Sequence, residues 1–376
     1  MATLAALPPE LLLLISDSLP SVDLDCFSVC DHRLYKLLSR QTNPSPRLTP
    51  DDKFSILTRL ERDLPSYFAC KICNLLHWYD GSENFGLSGY NPDRTCHLPC
   101  VQYKTGKHWF SIHHVLAVHQ HHSISINKFS FLHLKLAMRR FYYGPEAGIS
   151  TDSLSHTQVT EGYIVPYKDT FIWLFSQDAQ ICTKPLGLFL RLQDIVLFSG
   201  WRFLIQKASR WDPLIFCQHR TVRHAITPVL RSLGTNETVS LDDKEFHAHC
   251  SVCNTVCDIE FSKFESKKAL IITRWVNLGP GLDEKDPLWK SHTSALKSHR
   301  RYCGFIPNHP HEAQDPKECF EEATSQSFKD LRFRNLSYLK DGCYRKIMRY
   351  ESRCSTWERR IWHSPSIRKD LPKQNR

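Results

Sequence analysis

Four short clusters in this chain combine thiol and imidazole donors at spacings that suit a tetrahedral ion. Cys70-Lys-Ile-Cys73 and Cys96-His-Leu-Pro-Cys100 form one set of close pairs, and Cys217-Gln-His219 and Cys250-Ser-Val-Cys253 form another. Zinc takes four Cys or His ligands at tetrahedral angles. A C-x-x-C turn aims two thiolates at one point, and a second close pair completes the site. Two structural zinc sites are therefore expected. The first uses Cys70, Cys73, Cys96 and Cys100, with His77 or His97 able to replace one cysteine; the second uses Cys217, His219, Cys250 and Cys253. In the second, Cys257, His247 and His249 compete for a place, because more donors are at hand than one ion uses. Four protein ligands leave no position for a reactive water, and no H-E-x-x-H or comparable base stands beside either set. The alternative is ordinary buried thiols.

Other chemistry has less support. Seven histidines fall between His108 and His133, but His113-His114 and His121-His122 would lie on opposite faces of any strand, so surface or turn positions are expected. Cys182 could pair with a distant histidine as a nucleophile. With 15 Cys and 20 His in the chain, however, chance pairings are plentiful. No phosphate-binding glycine loop or dinucleotide fingerprint is present. A non-catalytic protein is expected.

The donors need elements to hold them. Residues 101–216 favour strands, at 109–118, 123–136, 163–166, 170–175 and 186–205, with a helix as the alternative at 131–141. Residues 245–277 read as strand, knuckle, strand, strand, so Cys250 and Cys253 sit on the turn. Asp51 and Asp52 open a helix whose Phe54, Leu57, Leu60 and Leu64 form one face, stopped by Pro65.

Residues 7–38 read as three short helices: Leu7-Pro8-Pro9-Glu10-Leu11 with Ile15 and Leu19, then Asp23-Leu24 with Phe27, then Leu34, Leu37 and Leu38. Pro8 and Pro9 suit a first turn, and Ser21 is placed to cap the second helix. So small a unit cannot bury all of this leucine, which leaves apolar surface for a partner. The order L-P-x-E-L, I-x-x-x-L-P, D-L-x-x-F-x-x-x-C, L-x-x-L-L resembles an F-box, the module by which substrate receptors dock on the Skp-type adaptor of Skp–cullin–F-box ubiquitin ligases. The resemblance implies adaptor contacts from Leu7, Pro8, Leu11, Ile15, Leu19, Leu24, Phe27 and Leu34. Asp31 departs from the family, which more often carries a basic or small polar residue there.

A second resemblance covers most of residues 1–290. Cys250-x-x-Cys253-x-Thr255, Ala269-Leu-Ile-Ile-Thr-Arg-Trp275-x-x-Leu278-Gly279 and Asp286-Pro287-x-Trp289 are similar to a pattern in uncharacterised filamentous-fungal F-box proteins with paired-Cys motifs. Those proteins usually place an acidic residue and an aromatic after the threonine, where this chain has Val256-Cys257. The resemblance implies architecture rather than mechanism.

Charge and composition set the frame. The net charge is +10. Residues 327–376 hold fourteen Lys or Arg against five Asp or Glu, so the rest is near neutral and any nucleic-acid contact would be local. In that stretch Leu336, Leu339, Cys343, Ile347, Tyr350, Cys354, Trp357 and Ile361 recur at helical steps, predicting a basic amphipathic helix. Residues 1–10 hold no Lys or Arg, and no apolar run approaches a membrane span, so neither a secretory leader nor a membrane contact is expected. Many cysteines without a leader point to the reducing cytoplasm or nucleus. The expected class is α+β: an F-box-like helical module over 1–42, a Pro-rich linker over 43–52, a mostly β zinc-stabilised body over 53–300, and a basic, partly disordered helical tail over 301–376. The expected role is a non-catalytic F-box subunit that docks on the Skp-type adaptor and cullin complex and presents an unidentified protein substrate. The competing class is a zinc-stabilised nucleic-acid-binding or regulatory protein that uses the basic helix.

Overall fold

A computed structural model describes residues 7–39, 49–71, 73–78, 109–111, 128–164, 169–198, 215–217, 219–221, 244–293, 314–324, 335–336, 339 and 361–363. Three helices come first: α1 (Pro9–Ser18), α2 (Ser21–Val29) and α3 (His32–Ser39). Pro9 opens α1, where a missing N–H costs nothing. Ser21 is not a cap: it is already helical, and Pro20 holds the N-cap position of α2 with no side-chain bond. Asp31 caps α3 instead, its Oδ1 accepting from the Arg33 N–H at 2.6 Å, which gives the departure from the F-box pattern a local role. Leu12, Leu34 and Leu38 form the buried centre of the unit.

The next helix, α4 (Pro50–Asp63), starts with a full capping box between Thr49 and Asp52. It begins inside the expected linker and joins the module to the body. Arg59 of α4 pairs with Asp23 of α2, and Glu61 accepts from the Ala69 N–H at 3.1 Å. Ala69 lies on β1 (Tyr67–Cys70), which pairs antiparallel with β2 (Leu75–Trp78).

Beyond a small ladder of β3 (Trp109–Ser111) and β4 (Lys128–Ser130), the chain turns directly into α5 (Phe131–Tyr143). The helical alternative therefore holds over 131–143; of the expected strand at 123–136, residues 128–130 are extended and 123–127 lie outside the described residues. His133 is buried in α5, which corrects its expected surface position; Phe129 packs 5.3 Å from its ring. The main sheet contains β5 (His156–Ile164), β6 (Asp169–Thr183), β7 (Leu186–Phe198), β10 (Lys244–His249), β11 (Val256–Phe264), β12 (Lys267–Asn277) and β13 (Ile361–His363). Its order is β10-β11-β12-β7-β6-β5-β13, and every pairing is antiparallel. Two meanders, β5-β6-β7 and β10-β11-β12, thus meet along the β7–β12 ladder. Between them lies a separate small ladder of β8 (Ile215–Cys217) and β9 (Arg220–Thr221).

Both faces of the sheet are covered, so β7 is buried from Gly187 to Phe198 despite its period-two alternation. Leu190, Leu192 and Val196 share one core with Leu134, Ala137 and Met138 of α5 and Trp289 of α6 (Pro287–Thr293). On the opposite face, Phe189 and Trp275 pack with Cys319 and Phe320 of α7 (Pro316–Thr324), and Ile195 and Ile271 pack with Leu339. The body therefore reaches past residue 300. Ile361 belongs to an edge strand rather than to the expected helix; residues 340–360 lie outside the described residues.

The buried polar groups are paired across strands. Asp194 receives the Trp173 indole N–H at 2.9 Å and an Arg274 guanidinium. Burial pushes the Asp194 carboxyl up while those two partners oppose the shift. Gln193 donates to Thr273 at 2.9 Å and accepts from Asn335 at 2.8 Å, which ties the later segment to the sheet centre. Among the described residues no helix is long and apolar enough to cross a membrane.

Candidate metal centre

The turn between β10 and β11 is a knuckle. Cys250 accepts on its carbonyl from the Asn254 N–H at 2.8 Å, and its own N–H reaches the Thr255 carbonyl at 2.9 Å. Closing so tight a loop puts Asn254 at φ +52°, a left-handed conformation that asparagine tolerates better than most residues. The β8–β9 hairpin approaches with Cys217 at the end of β8 and His219 in its turn.

Together these elements bring Cys217, His219, Cys250 and Cys253 into one group whose ligand atoms all lie within 4.8 Å of one another. Zinc–sulfur bonds of about 2.3 Å at tetrahedral angles place ligand atoms roughly 3.5 to 3.8 Å apart. The group fits that dimension with small closure. Cys217, Cys250 and Cys253 are buried and His219 is half-buried, so a bound ion would be enclosed.

The electrostatics suit a cation. Without one, three sulfurs crowd a single point. Cys250 is held far below the usual thiol range because Cys217, Cys253 and His219 donate toward it. Burial drives Cys217 well up, and it pushes Cys253 to about 12. Only one thiolate is thus stable alone, whereas a divalent ion would stabilise all three. The Thr255 hydroxyl lies 3.1 Å from Cys253 Sγ and is placed to donate to that sulfur as a thiolate. Behind the group, the His292 ring contacts the Asn277 carbonyl at 2.8 Å and is fully buried.

The competing donors stand apart. Cys257 faces Arg274 across the β11–β12 ladder and is buried. His247 Nδ1 meets Asp258 at 2.6 Å, and His249 Nε2 meets the Asn254 side chain at 2.7 Å.

A second group joins Cys70, Cys73 and His77 on the β1–β2 hairpin. Its turn repeats the first knuckle: the Asn74 N–H reaches the Cys70 carbonyl at 2.8 Å, Asn74 sits at φ +54°, and the Cys73 N–H points to Cys70 Sγ at 3.4 Å. Cys96, Cys100 and His97 lie outside the described residues, so this group offers three described donors. Both knuckles read Cys-x-(Ile/Val)-Cys-Asn in the sequence. That shared asparagine is the signal the spacing argument passed over.

The other sequence-predicted positions separate clearly. On α1, Leu11 is 47% and Leu14 66% exposed; Pro8 is exposed, and Leu7, Ile15, Leu19, Leu24 and Phe27 are half-buried. Leu34, expected to face a partner, is 2% exposed and belongs to the centre of the three-helix unit. Cys182 is buried, its thiol is pushed up to about 12 by burial, and it donates to the Cys319 carbonyl at 3.3 Å, a poor setting for a nucleophile. No family model, curated protein or solved structure matches this chain.

Proposed function

We propose that this chain is a non-catalytic receptor of the F-box type. The α1–α3 unit docks on a Skp-type adaptor of a cullin ubiquitin ligase, and the sheet-based body presents a protein substrate. The observation that carries this reading is the apolar surface left on α1: Leu11 and Leu14 face solvent while Leu12, Leu34 and Leu38 already fill the unit's interior. A helix face that exposes leucines beside a completed small core suits helix-in-groove docking. Leu34 is removed from the contact set, and Leu14 joins Leu7, Pro8, Leu11, Ile15, Leu19, Leu24 and Phe27.

In this reading the metal is zinc and its role is structural. Cys217, His219, Cys250 and Cys253 would hold it with four protein ligands, joining the β8–β9 hairpin to the β10–β11 turn and adding folding free energy rather than reactivity. The test is co-purification of the full chain with the adaptor. Wild type should retain it, and Leu11→Asp and Leu14→Asp should each lose it without a change in thermal stability. Failure of the wild-type chain to retain the adaptor, or equal retention by both variants, overturns the proposal.

A further inference from the structure

Between α4, α5 and the turn at residues 279–282 lies a cavity of ≈ 270 Å³, walled by Arg59, Arg62, Lys135, Arg139, Tyr142 and Tyr143. Its floor is ordered by Glu61, the one acid among the lining residues, which takes Lys135 Nζ at 2.7 Å and Arg139 Nη1 at 3.1 Å. The buried Arg139 and the half-buried Lys135 therefore share one carboxylate. Arg139 is fixed further by the carbonyls of Glu61 and Tyr67, yet its Nε is buried with no hydrogen-bond partner. Arg59 is paired with Asp23 on α2. Arg62 is exposed at the rim and makes no ion pair with the described residues.

Among the described residues, counting Arg59, Arg62, Lys135 and Arg139 against Glu61 and Asp23 leaves two cations in excess around one cavity. Excess charge in a partly desolvated wall is unfavourable, and a bound counter-anion removes the penalty. Guanidinium forks match oxyanions in a bidentate manner, and a phosphate group of about −1.5 to −2 matches the excess. The apolar side is made possible by Gly281 at φ +68°, where a Cβ would meet Met138 Cγ at 3.0 Å; Met138 and Leu282 line that side. The Tyr142 hydroxyl is engaged, donating to the Pro280 carbonyl at 3.1 Å, and the Arg139 terminal nitrogens are held by Glu61 and Tyr67, so Arg62, Tyr143 and the Arg139 Nε are the groups left for a ligand.

We infer that this cavity is a phosphate-binding site, filled by free orthophosphate or by the phosphate of a phosphoserine side chain on a peptide. It is independent of adaptor docking and of the metal centre.

The test is calorimetric titration of the full chain with orthophosphate, with a phosphoserine peptide and with the unphosphorylated peptide, at ionic strength held constant with chloride. Saturable binding of orthophosphate is expected, with about tenfold weaker binding by Arg62→Ser and by Arg59→Ser. Arg62 is exposed and makes no ion pair with the described residues, so Arg62→Ser should keep the wild-type melting temperature in chloride and carry the test even if Arg59→Ser weakens the fold. Tighter binding of the phosphopeptide, competed by orthophosphate, identifies a peptide ligand; equal or weaker binding identifies the free anion, and either outcome upholds the site. Absence of saturable binding by both probes overturns it. So does undiminished binding by Arg62→Ser, which would move the anion to the basic stretch at 327–376.

Discussion

Asn254 and Asn74 show how a single residue can set a turn that could hold a metal ion. Each sits in a left-handed conformation directly after its second cysteine, and each N–H closes the knuckle on the first cysteine's carbonyl. Asn254→Ala should cost about 1 kcal/mol through backbone strain and weaken metal retention, while Asn254→Gly should stay near wild type. Denaturant unfolding of both variants checks the difference, and equal loss in both would shift the role to the Asn254 side chain's contact with His249. His133 supplies a pH effect at the same scale. Burial lowers its imidazole from 6.5 to about 4, so below 6.5 the unfolded chain binds the proton more readily. Stability should therefore be full above about pH 6.5 and fall by about 3 kcal/mol as the pH drops to 4. His133→Gln should flatten that part of the pH profile. The second ligand set was legible in the sequence because Cys217-x-His219 and Cys250-x-x-Cys253 are fixed by local spacing. The burial of Leu34 and His133 was not legible, because it depends on neighbours far along the chain.

Among the elements, α4 has the largest effect on how the parts are connected. It reads in the sequence as an ordinary amphipathic helix after a linker, and its capping residues and Pro65 stop are visible there. Its partners are not: Glu61 is a surface-type residue that becomes buried only because β1 and α5 arrive on either side of it. One carboxylate then holds the Ala69 N–H, Lys135 and Arg139 together. Glu61→Ala should destabilise the chain by about 3 kcal/mol, because it leaves the buried Arg139 and the half-buried Lys135 without their carboxylate. Replacing Glu61 and Lys135 together by Met should recover part of that loss, since it removes charges in a pair. Urea unfolding of the two variants is the measurement, and a Glu61→Ala cost below about 1 kcal/mol would show that solvent already screens the cluster. The same logic explains why α7 was missed. Its nine residues show a mixed pattern, and only the sheet face formed by Phe189 and Trp275 makes Cys319 and Phe320 a core contact. Lys317 adds to that anchoring by meeting Asp258 at 2.7 Å and lying over the Trp275 ring.

At the scale of the whole molecule, the two meanders share one central ladder, with a core on each face of the sheet, and the candidate metal-binding knuckles join the larger of these cores. Cys70, Cys217, Cys250 and Cys253 all belong to the same apolar cluster as Leu190, Ile272 and Trp289. Metal loss should then act on the body as a unit. If both groups are charged with zinc, the purified chain should contain two ions per molecule by elemental analysis, with Cys250→Ser and Cys70→Ser each removing one. A strong chelator should lower the melting temperature and expose the core to a hydrophobic dye. The sensitivity should also depend on pH, because Cys217 and Cys253 must lose protons for the second group to bind, so lowering the pH should favour release. A folded chain that holds no zinc and is indifferent to chelator would reduce both knuckles to packed thiols. The sheet core would then have to supply their stability unaided.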